Sequence, residues 1–294
     1  TDGTMEEMNR IWRNTIINDT YEPGSTFKVI TATAALDSGS VTLNNHYSCS
    51  GRIHVADRFV RCANARGHGA QTFAQSLQNS CNPAFITWGL MTGKDNMVKY
   101  MESLGLYSKT GVDLPGEAGS IIHKTENIKE LDLAIMSFGQ SFQITPLQLL
   151  RAVSAVVNGG KLVTPHFGVK KIDTEGNISV LEYEESGTII KQSTTETMRG
   201  LLKNVVELGG GLNCRIEGYS IAGKTATSEK LPRGNGKYIA SFIGIAPAEN
   251  PQVIAMCIID EPVGMHYGGV IAAPVVKSLF ENILPYLGIE KGQM

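Results

Sequence analysis

Apolar positions along this chain change their spacing twice. Residues 24–37 carry apolar side chains with almost no break, and the pattern predicts a buried helix opened by Pro23-Gly24. Residues 38–70 are polar and rich in Gly, Asn and His, and read as an irregular loop. Helical spacing then returns over Thr72 to Ser80, Pro83 to Thr92, Asp95 to Gly105, Leu131 to Met136 and Pro146 to Val157. Residues 161–192 alternate, with Asp173-Thr174-Glu175-Gly176-Asn177 as a hairpin turn. Ser193 to Glu207 is again helical, with Thr194 and Thr195 as possible caps. In the last third, Ser220 to Ala226, Tyr238 to Ala246 and Gln252 to Asp260 are short β-rich runs that predict a three-strand antiparallel meander. Residues 271–287 predict a closing helix, with Pro274 near its start and Gly288 beyond its end. Helices in the middle and strands toward the end give an α+β arrangement.

Composition narrows the class without naming it. The chain has 294 residues, 42% apolar and 18% charged, enough for one large domain or two closely joined subdomains. A formal net charge of −2 provides no global attraction to nucleic acid or anionic lipid. No apolar run reaches the roughly 18–20 residues of a membrane span, and no signal peptide is visible. The polar start Thr1-Asp2-Gly3-Thr4 looks like an internal cut. Five cysteines exclude a fully paired disulfide framework.

The candidate chemistry begins at Ser25-Thr26-Phe27-Lys28. Residues three apart on a helix share a face, so Lys28 can reach the Ser25 hydroxyl and act as its base. A lysine base must be neutral, so its pKa has to fall by about 3 from about 10.4, or ~4 kcal/mol, to work near pH 7. Burial and a second cation nearby both push that way. Ser80-Cys81-Asn82 and Lys224-Thr225-Ala226-Thr227 follow in order. Strand alternation points Lys224 and Ala226 one way and Thr225 and Thr227 the other, so a twist or bulge is expected if Lys224 and Thr227 share a site. Residues 218–225 also satisfy Gly-x4-Gly-Lys-Thr, a phosphate-binding pattern. No helix fits after Lys224, which argues against nucleotide binding.

Ser-x-x-Lys, Ser-x-Asn and a near match to Lys-Thr-Gly-Thr, in this order, are the signature of penicillin-binding proteins and class A β-lactamases. Gly111-Val112-Asp113-Leu114-Pro115-Gly116-Glu117, Ser137-Phe138-Gly139-Gln140, Ile144-Thr145-Pro146-Leu147-Gln148 and Ala222-Gly223 agree with the first group. Over nearly its whole length the chain resembles the transpeptidase domain of class B penicillin-binding proteins, most closely the sporulation-specific stage V sporulation protein D type.

The resemblance implies a helical region over approximately 29–160, a hairpin insert over 161–192, and a sheet with a C-terminal helix over 193–294. The active site would lie in the groove between the helical region and the sheet. Two further strands, a non-catalytic domain and a single membrane anchor would lie upstream of Thr1 and outside this chain. Ser25 would be the nucleophile and Lys28 the general base, with Ser80 relaying protons. Asn82, Lys224, Thr225 and Thr227 would hold substrate, and the backbone N–H groups of Ser25 and Thr227 would form the oxyanion hole. The implied activity is a D,D-transpeptidase of spore cortex or septal wall that forms a Ser25 acyl-enzyme with D-Ala-D-Ala stem peptides and is acylated by β-lactams. Its partners would be peptidoglycan and a membrane glycosyltransferase, not nucleic acid, on the extracytoplasmic face of the cell membrane. A D,D-carboxypeptidase, a serine β-lactamase and a non-enzymatic β-lactam sensor share the same core. Against a β-lactamase, Glu117 sits in the family's Leu-Pro-Gly-Glu turn and leaves no obvious base for deacylation. Ala226 stands where glycine is usual, and its methyl group is expected to crowd a ligand backbone.

The chemistry needs no cofactor, but one loop suggests a metal. Cys49, Asp57, Cys62 and His68 would suit tetrahedral, structural zinc, with His46, His54 and Cys81 as alternative ligands. A Cys49–Cys62 disulfide and free thiols are the competing readings.

Overall fold

The computed structural model describes residues 3–292. Helices α1 (Met5–Trp12) and α2 (Thr15–Asn18) lead to a 3-10 turn, Gly24–Phe27, which runs directly into α3 (Lys28–Asp37). Helix α3 is the centre of the molecule: every residue from Lys28 to Ala35 is buried, as expected of a helix that is apolar on all sides. Its polar side chains are satisfied locally, Thr31 donating to the Ser137 carbonyl and Thr33 to that of Val29, both at 2.8 Å. Around it pack α5 (Asn82–Thr92), α6 (Lys94–Ser103), α8 (Pro146–Val157) and α9 (Gln192–Leu208), with α4 (Phe73–Gln78) and α7 (Glu130–Met136) completing the helical part. Capping boxes at Thr72/Gln75 and Thr145/Gln148 fix where α4 and α8 start.

Residues 38–70 differ from the expected irregular loop. They contain β1 (His46–Cys49), β2 (Arg52–Val55), β3 (Arg58–Arg61) and the start of β4 (Gly69–Thr72), paired β1–β4 and β2–β3, antiparallel. These four-residue strands carry His, Arg, Gly and Ser rather than a β-branched alternation, so the pattern hid them. The insert over 161–192 forms β5 (Lys161–Val163), β6 (Lys170–Ile172), β7 (Ile178–Val180) and β8 (Glu185–Thr188), with the hairpin turn at 173–177 as expected. Helix α9 starts before Thr194 and Thr195; both are buried inside it and cap nothing. The meander forms as predicted: β9 (Ala222–Glu229), β10 (Tyr238–Ala246) and β11 (Val253–Asp260), in the order β11-β10-β9. Helices α10 (Gly268–Ile271) and α11 (Ala273–Tyr286) cover one face, Val276 and Phe280 packing over Gly244. No helix among the described residues is long and apolar enough to cross a membrane.

Candidate active site

Three backbone devices bring the signature residues together. The first is at the nucleophile turn. Gly24 has φ +57° and donates its N–H to the Gly139 carbonyl at 2.8 Å. A Cβ on Gly139 would sit 2.0 Å from the Gly24 carbonyl oxygen, so only glycine lets the two segments touch. Ser25 then occupies the first turn of the 3-10 helix, where its N–H has no carbonyl one turn earlier.

The second device is at Ser80. Helix α4 ends with the Ser80 N–H donating to Leu77 O at 3.1 Å and the Cys81 N–H to Ser76 O at 3.0 Å, the bond pair of a Schellman turn. Glycine is usual at the left-handed position of that turn, yet Ser80 fills it, at φ +52°. The strain turns the Ser80 hydroxyl and carbonyl toward α3. Cys81, fully buried, is the N-cap residue of α5, and Asn82 opens that helix.

The third is strand β9, whose ladder to β10 runs without a register shift. The expected bulge is therefore absent. The Lys230 N–H donates to the Lys237 carbonyl at 2.8 Å, which fixes the antiparallel alternation. Even-numbered residues of β9 bond to β10, and Thr225 and Thr227 turn their N–H and C=O groups to the open edge. Lys224 Nζ confirms the direction by donating to the Thr225 carbonyl at 3.0 Å. Backbone and side chain thus separate: the Thr227 N–H faces the groove, while its Oγ1 accepts from Gly268 N at 3.1 Å on the strand's other face.

The resulting cluster is dense. Lys28 Nζ lies 3.1 Å from Ser25 Oγ, 2.7 Å from the Ser80 carbonyl, 3.2 Å from Ser80 Oγ and 2.6 Å from Asn82 Oδ1. Lys224 Nζ donates to Ser80 Oγ at 2.9 Å from the opposite side. The Ser80 hydroxyl therefore bridges the two amines. Lys28 is fully buried and Lys224 is 1% exposed, and among the described residues no carboxylate is hydrogen-bonded to either. Burial pulls Lys28 down to about 7, against a smaller upward pull from Cys81 and Cys62. Burial also pulls Lys224 well below the usual lysine range, and the charge of Lys28 adds to it. Two of the Lys28 contacts, the Ser80 carbonyl and Asn82 Oδ1, can only accept. A neutral Lys28 gives them its two N–H bonds and keeps its lone pair for the Ser25 hydroxyl. The arrangement can deprotonate Ser25, pass the proton through Ser80, and meet a developing oxyanion with the N–H groups of Ser25 and Thr227.

Several sequence expectations change here. The Ala226 methyl is 3% exposed and lies 3.7 Å from where a Gly24 Cβ would be, so it packs beneath the nucleophile turn rather than in the groove. Asp57 is exposed in the β2–β3 turn and does not join Cys49, Cys62 and His68; Cys81 does. His46 and His54 are exposed and also lie outside that group. All five cysteines are free, so no Cys49–Cys62 bridge is formed. Glu117 accepts from the N–H groups of Thr110 (2.6 Å) and Gly111 (3.2 Å), a structural role. Lys224 sits mid-strand, with no helix after it to cradle phosphate. Two contributors escaped the sequence reading. Glu22 accepts from Ser141 N at 2.9 Å and pairs with Arg233 of the β9–β10 loop, bracing the nucleophile turn from both sides. Ser228 packs its hydroxyl against Gly24, a placement that extending the Lys224–Ala226 alternation by one step would have found.

A family model described as penicillin binding protein transpeptidase domain matches residues 2–281. Stage V sporulation protein D of Bacillus subtilis is 39% identical over 285 residues, which are 95% of this chain and 44% of that protein. The probable peptidoglycan D,D-transpeptidase PenA of Neisseria flavescens is 32% identical over 94% of this chain and 67% of its own length. The transpeptidase domain of Burkholderia pseudomallei penicillin-binding protein 3 superposes with a TM-score of 0.84 at 27% identity, covering 96% of this chain and 84% of that one. A serine between two buried lysines, on this fold and with these relatives, leaves one conclusion: the chain belongs to the penicillin binding protein transpeptidase domain family.

Proposed function

We propose that the domain is a peptidoglycan D,D-transpeptidase with Ser25 as its nucleophile. Ser25 Oγ attacks the carbonyl of the penultimate D-alanine while its proton passes to Lys28. The tetrahedral oxyanion rests on the N–H groups of Ser25 and Thr227. The proton reaches the leaving D-alanine nitrogen through Ser80, and an amine from a second stem peptide then takes the acyl group from Ser25. Asn82 and Lys224 hold the substrate, with Thr225 and Thr227 presenting backbone along the groove. β-Lactams acylate the same serine as mimics of the D-Ala-D-Ala end. The similarity to stage V sporulation protein D points to spore cortex or septal wall synthesis outside the cytoplasmic membrane, beside a membrane glycosyltransferase.

One observation carries the reading: Lys28 Nζ lies 3.1 Å from Ser25 Oγ, and among the described residues no carboxylate is hydrogen-bonded to it to hold its proton. Mass spectrometry after incubation with a labelled penicillin tests it. A stable adduct on Ser25 is expected. Rapid turnover of the label would instead mark a β-lactamase, and no adduct at all would remove the nucleophile. With an adduct in hand, release of D-alanine to water alone, even when an acceptor amine is supplied, would mark a carboxypeptidase. No D-alanine released from a stem pentapeptide would mark a β-lactam sensor.

A further inference from the structure

The β2–β3 hairpin and the loop after it concentrate cations that the chain leaves unneutralised. Residues 46–72 carry four arginines, Arg52, Arg58, Arg61 and Arg66, against one carboxylate, Asp57, in a chain of net charge −2. All four arginines are exposed. Among the described residues no carboxylate oxygen lies within 4.0 Å of their guanidinium nitrogens. The β9–β10 loop is built the other way, with Lys230, Arg233 and Lys237 each paired to an acid.

Two of the arginines oppose each other. Arg52 lies directly across the ladder from Arg61, and His54 from Phe59, so these side chains share the outer face of the hairpin. Its inner face carries Ile53, Val55 and Val60 and packs on the helical core against α5 and α7. Like charges directly opposite on antiparallel strands are destabilising, so the pair works against the hairpin's own stability. Phe59 is 62% exposed, and the Arg52 guanidinium lies 4.8 Å from its ring centroid. A guanidinium stacked on a ring keeps its N–H edge free to fork onto a carboxylate.

The open end of the hairpin is fixed beside the active site. Gly51 and Gly67 both have positive φ. A Cβ on Gly51 would lie 2.3 Å from the Ala65 carbonyl oxygen, and one on Gly67 would lie 2.1 Å from that of Cys49. The Cys62 N–H donates to the Gly51 carbonyl at 2.9 Å, closing the strands just beyond the Arg52–Arg61 pair. Asn82 donates its side-chain N–H to the Arg61 carbonyl at 3.5 Å, while its amide oxygen takes a bond from Lys28. Arg61 is therefore one hydrogen bond away from a residue assigned to hold substrate.

We propose that Arg52 and Arg61 form an anionic subsite for the stem peptide that acylates Ser25, binding a free carboxylate upstream of its D-Ala-D-Ala end. The subsite rests on the transpeptidase reading and deepens it, since it sets which stem peptides are taken. A carboxylate offers two acceptor oxygens to the fork, whereas its amide offers one oxygen and turns N–H groups toward a cation. Peptides whose upstream acids are free are preferred over amidated ones.

Two synthetic stem pentapeptides test this, one with its upstream carboxylates free and one with them amidated. D-Alanine release with an acceptor amine supplied gives kcat and KM for each. In the wild-type domain amidation should raise KM about tenfold and act on kcat far less, as expected of fork-bonded but solvent-exposed arginines. Arg52→Gln combined with Arg61→Gln should bring the KM of the acidic peptide up to that of the amidated one. Its Tm should hold or rise, because the repulsion is gone. Arg52→Glu combined with Arg61→Glu should reverse the preference, which mere damage to the hairpin would not do. Equal KM values for the two peptides in wild type would overturn the subsite, as would a preference that survives in both double variants. Phosphatidylglycerol vesicles bound by wild type but not by the glutamine variant, with peptide kinetics unaltered, would give the face to a membrane surface and overturn it too. No penicillin adduct on Ser25 and no D-alanine from either peptide would overturn the transpeptidase reading itself, and the subsite with it.

Discussion

Two lysines of this chain, Lys28 and Lys230, show how one side chain is put to opposite uses. Lys28 is wholly buried, surrounded by hydroxyls, a carbonyl and an amide, and burial lowers its pKa to about 7. Lys230 lies at the end of the sheet with its side chain 28% exposed, donating to Asp260 at 2.9 Å and to Glu261 at 2.8 Å. Burial is the largest single pull and lowers it, but the hydrogen bonds to Glu261 and Asp260 and the charges of the two carboxylates together outweigh that and raise it. A carboxylate partner would have stabilised the cation at Lys28 as well, and a cation cannot accept a proton from Ser25. The catalytic lysine is defined by the partner it lacks.

Replacing each lysine by arginine separates the two uses most sharply. Arginine stays protonated near neutral pH. Lys28→Arg should therefore reduce penicillin acylation on the order of 10²–10⁴-fold although the positive charge is kept. Lys28→Met should lose as much. Lys230→Arg keeps an ion pair and should leave the acylation rate unchanged. Stopped-flow acylation kinetics decide between these outcomes, and equal losses at both positions would end the contrast.

The same contrast sets the pH dependence. The neutral fraction of Lys28 falls tenfold per pH unit below about 7, so acylation at pH 5 should be about 100-fold slower than on the plateau. Stability follows with a definite sign. Between pH 7 and the ordinary lysine value of 10.5, the unfolded chain binds a proton at Lys28 that the folded chain does not. Stability therefore rises with pH across that window, and the burial cost, about 5 kcal/mol, is fully present below pH 7. Lys224, shifted the same way, adds in the same direction. Denaturant melts at pH 7 and pH 9 should show the gap between Lys28→Met and wild type closing by about 2–3 kcal/mol.

Ser80 offers a finer division, between what a hydroxyl does and what a backbone costs. Ser80→Ala and Ser80→Gly both remove the group that bridges Lys28 and Lys224, so both should lose acylation to the same degree. They differ only in the Cβ at φ +52°. Ser80→Gly should be more stable than Ser80→Ala by about 1 kcal/mol. Equal stability would mean that the turn carries no strain.

Much of this site was legible because its residues sit at fixed offsets on elements that announce themselves. Ser25 and Lys28 share a helical face, and the apolar run after Lys28 gave its burial away. The meander was legible for the same reason, with apolar strands bounded by turn residues. What sequence could not show was backbone direction. The alternation of β9 placed the Thr227 side chain away from Lys224 correctly, and the apparent conflict disappeared only when its N–H proved to face the groove. Residues 46–72 were opaque because hairpins held by glycine contacts need no apolar alternation. For the same reason Asp57 entered the metal set and Cys81 stood only as an alternative: which ligands meet depends on how Gly51 and Gly67 fold the loop.

Ala226 is the smallest lever on the comparison, since it supports the Lys28 side of the groove without touching a reacting atom. The substitution from glycine suggested a clash with ligand, but the methyl group points at Gly24, and the Ala226 N–H and C=O belong to the ladder with β10. Ala226→Gly should then act on the turn that carries Ser25. Glycine in a strand interior costs roughly 0.5–1 kcal/mol, and the lost methyl removes part of the floor beneath the turn. The expected result is a small loss of stability and a modest drop in acylation of the same size for narrow and bulky β-lactams. A rate gain confined to the bulky compounds would place the methyl group in the groove after all. A uniform change would show that Ala226 acts through the position of Ser25, as its packing requires.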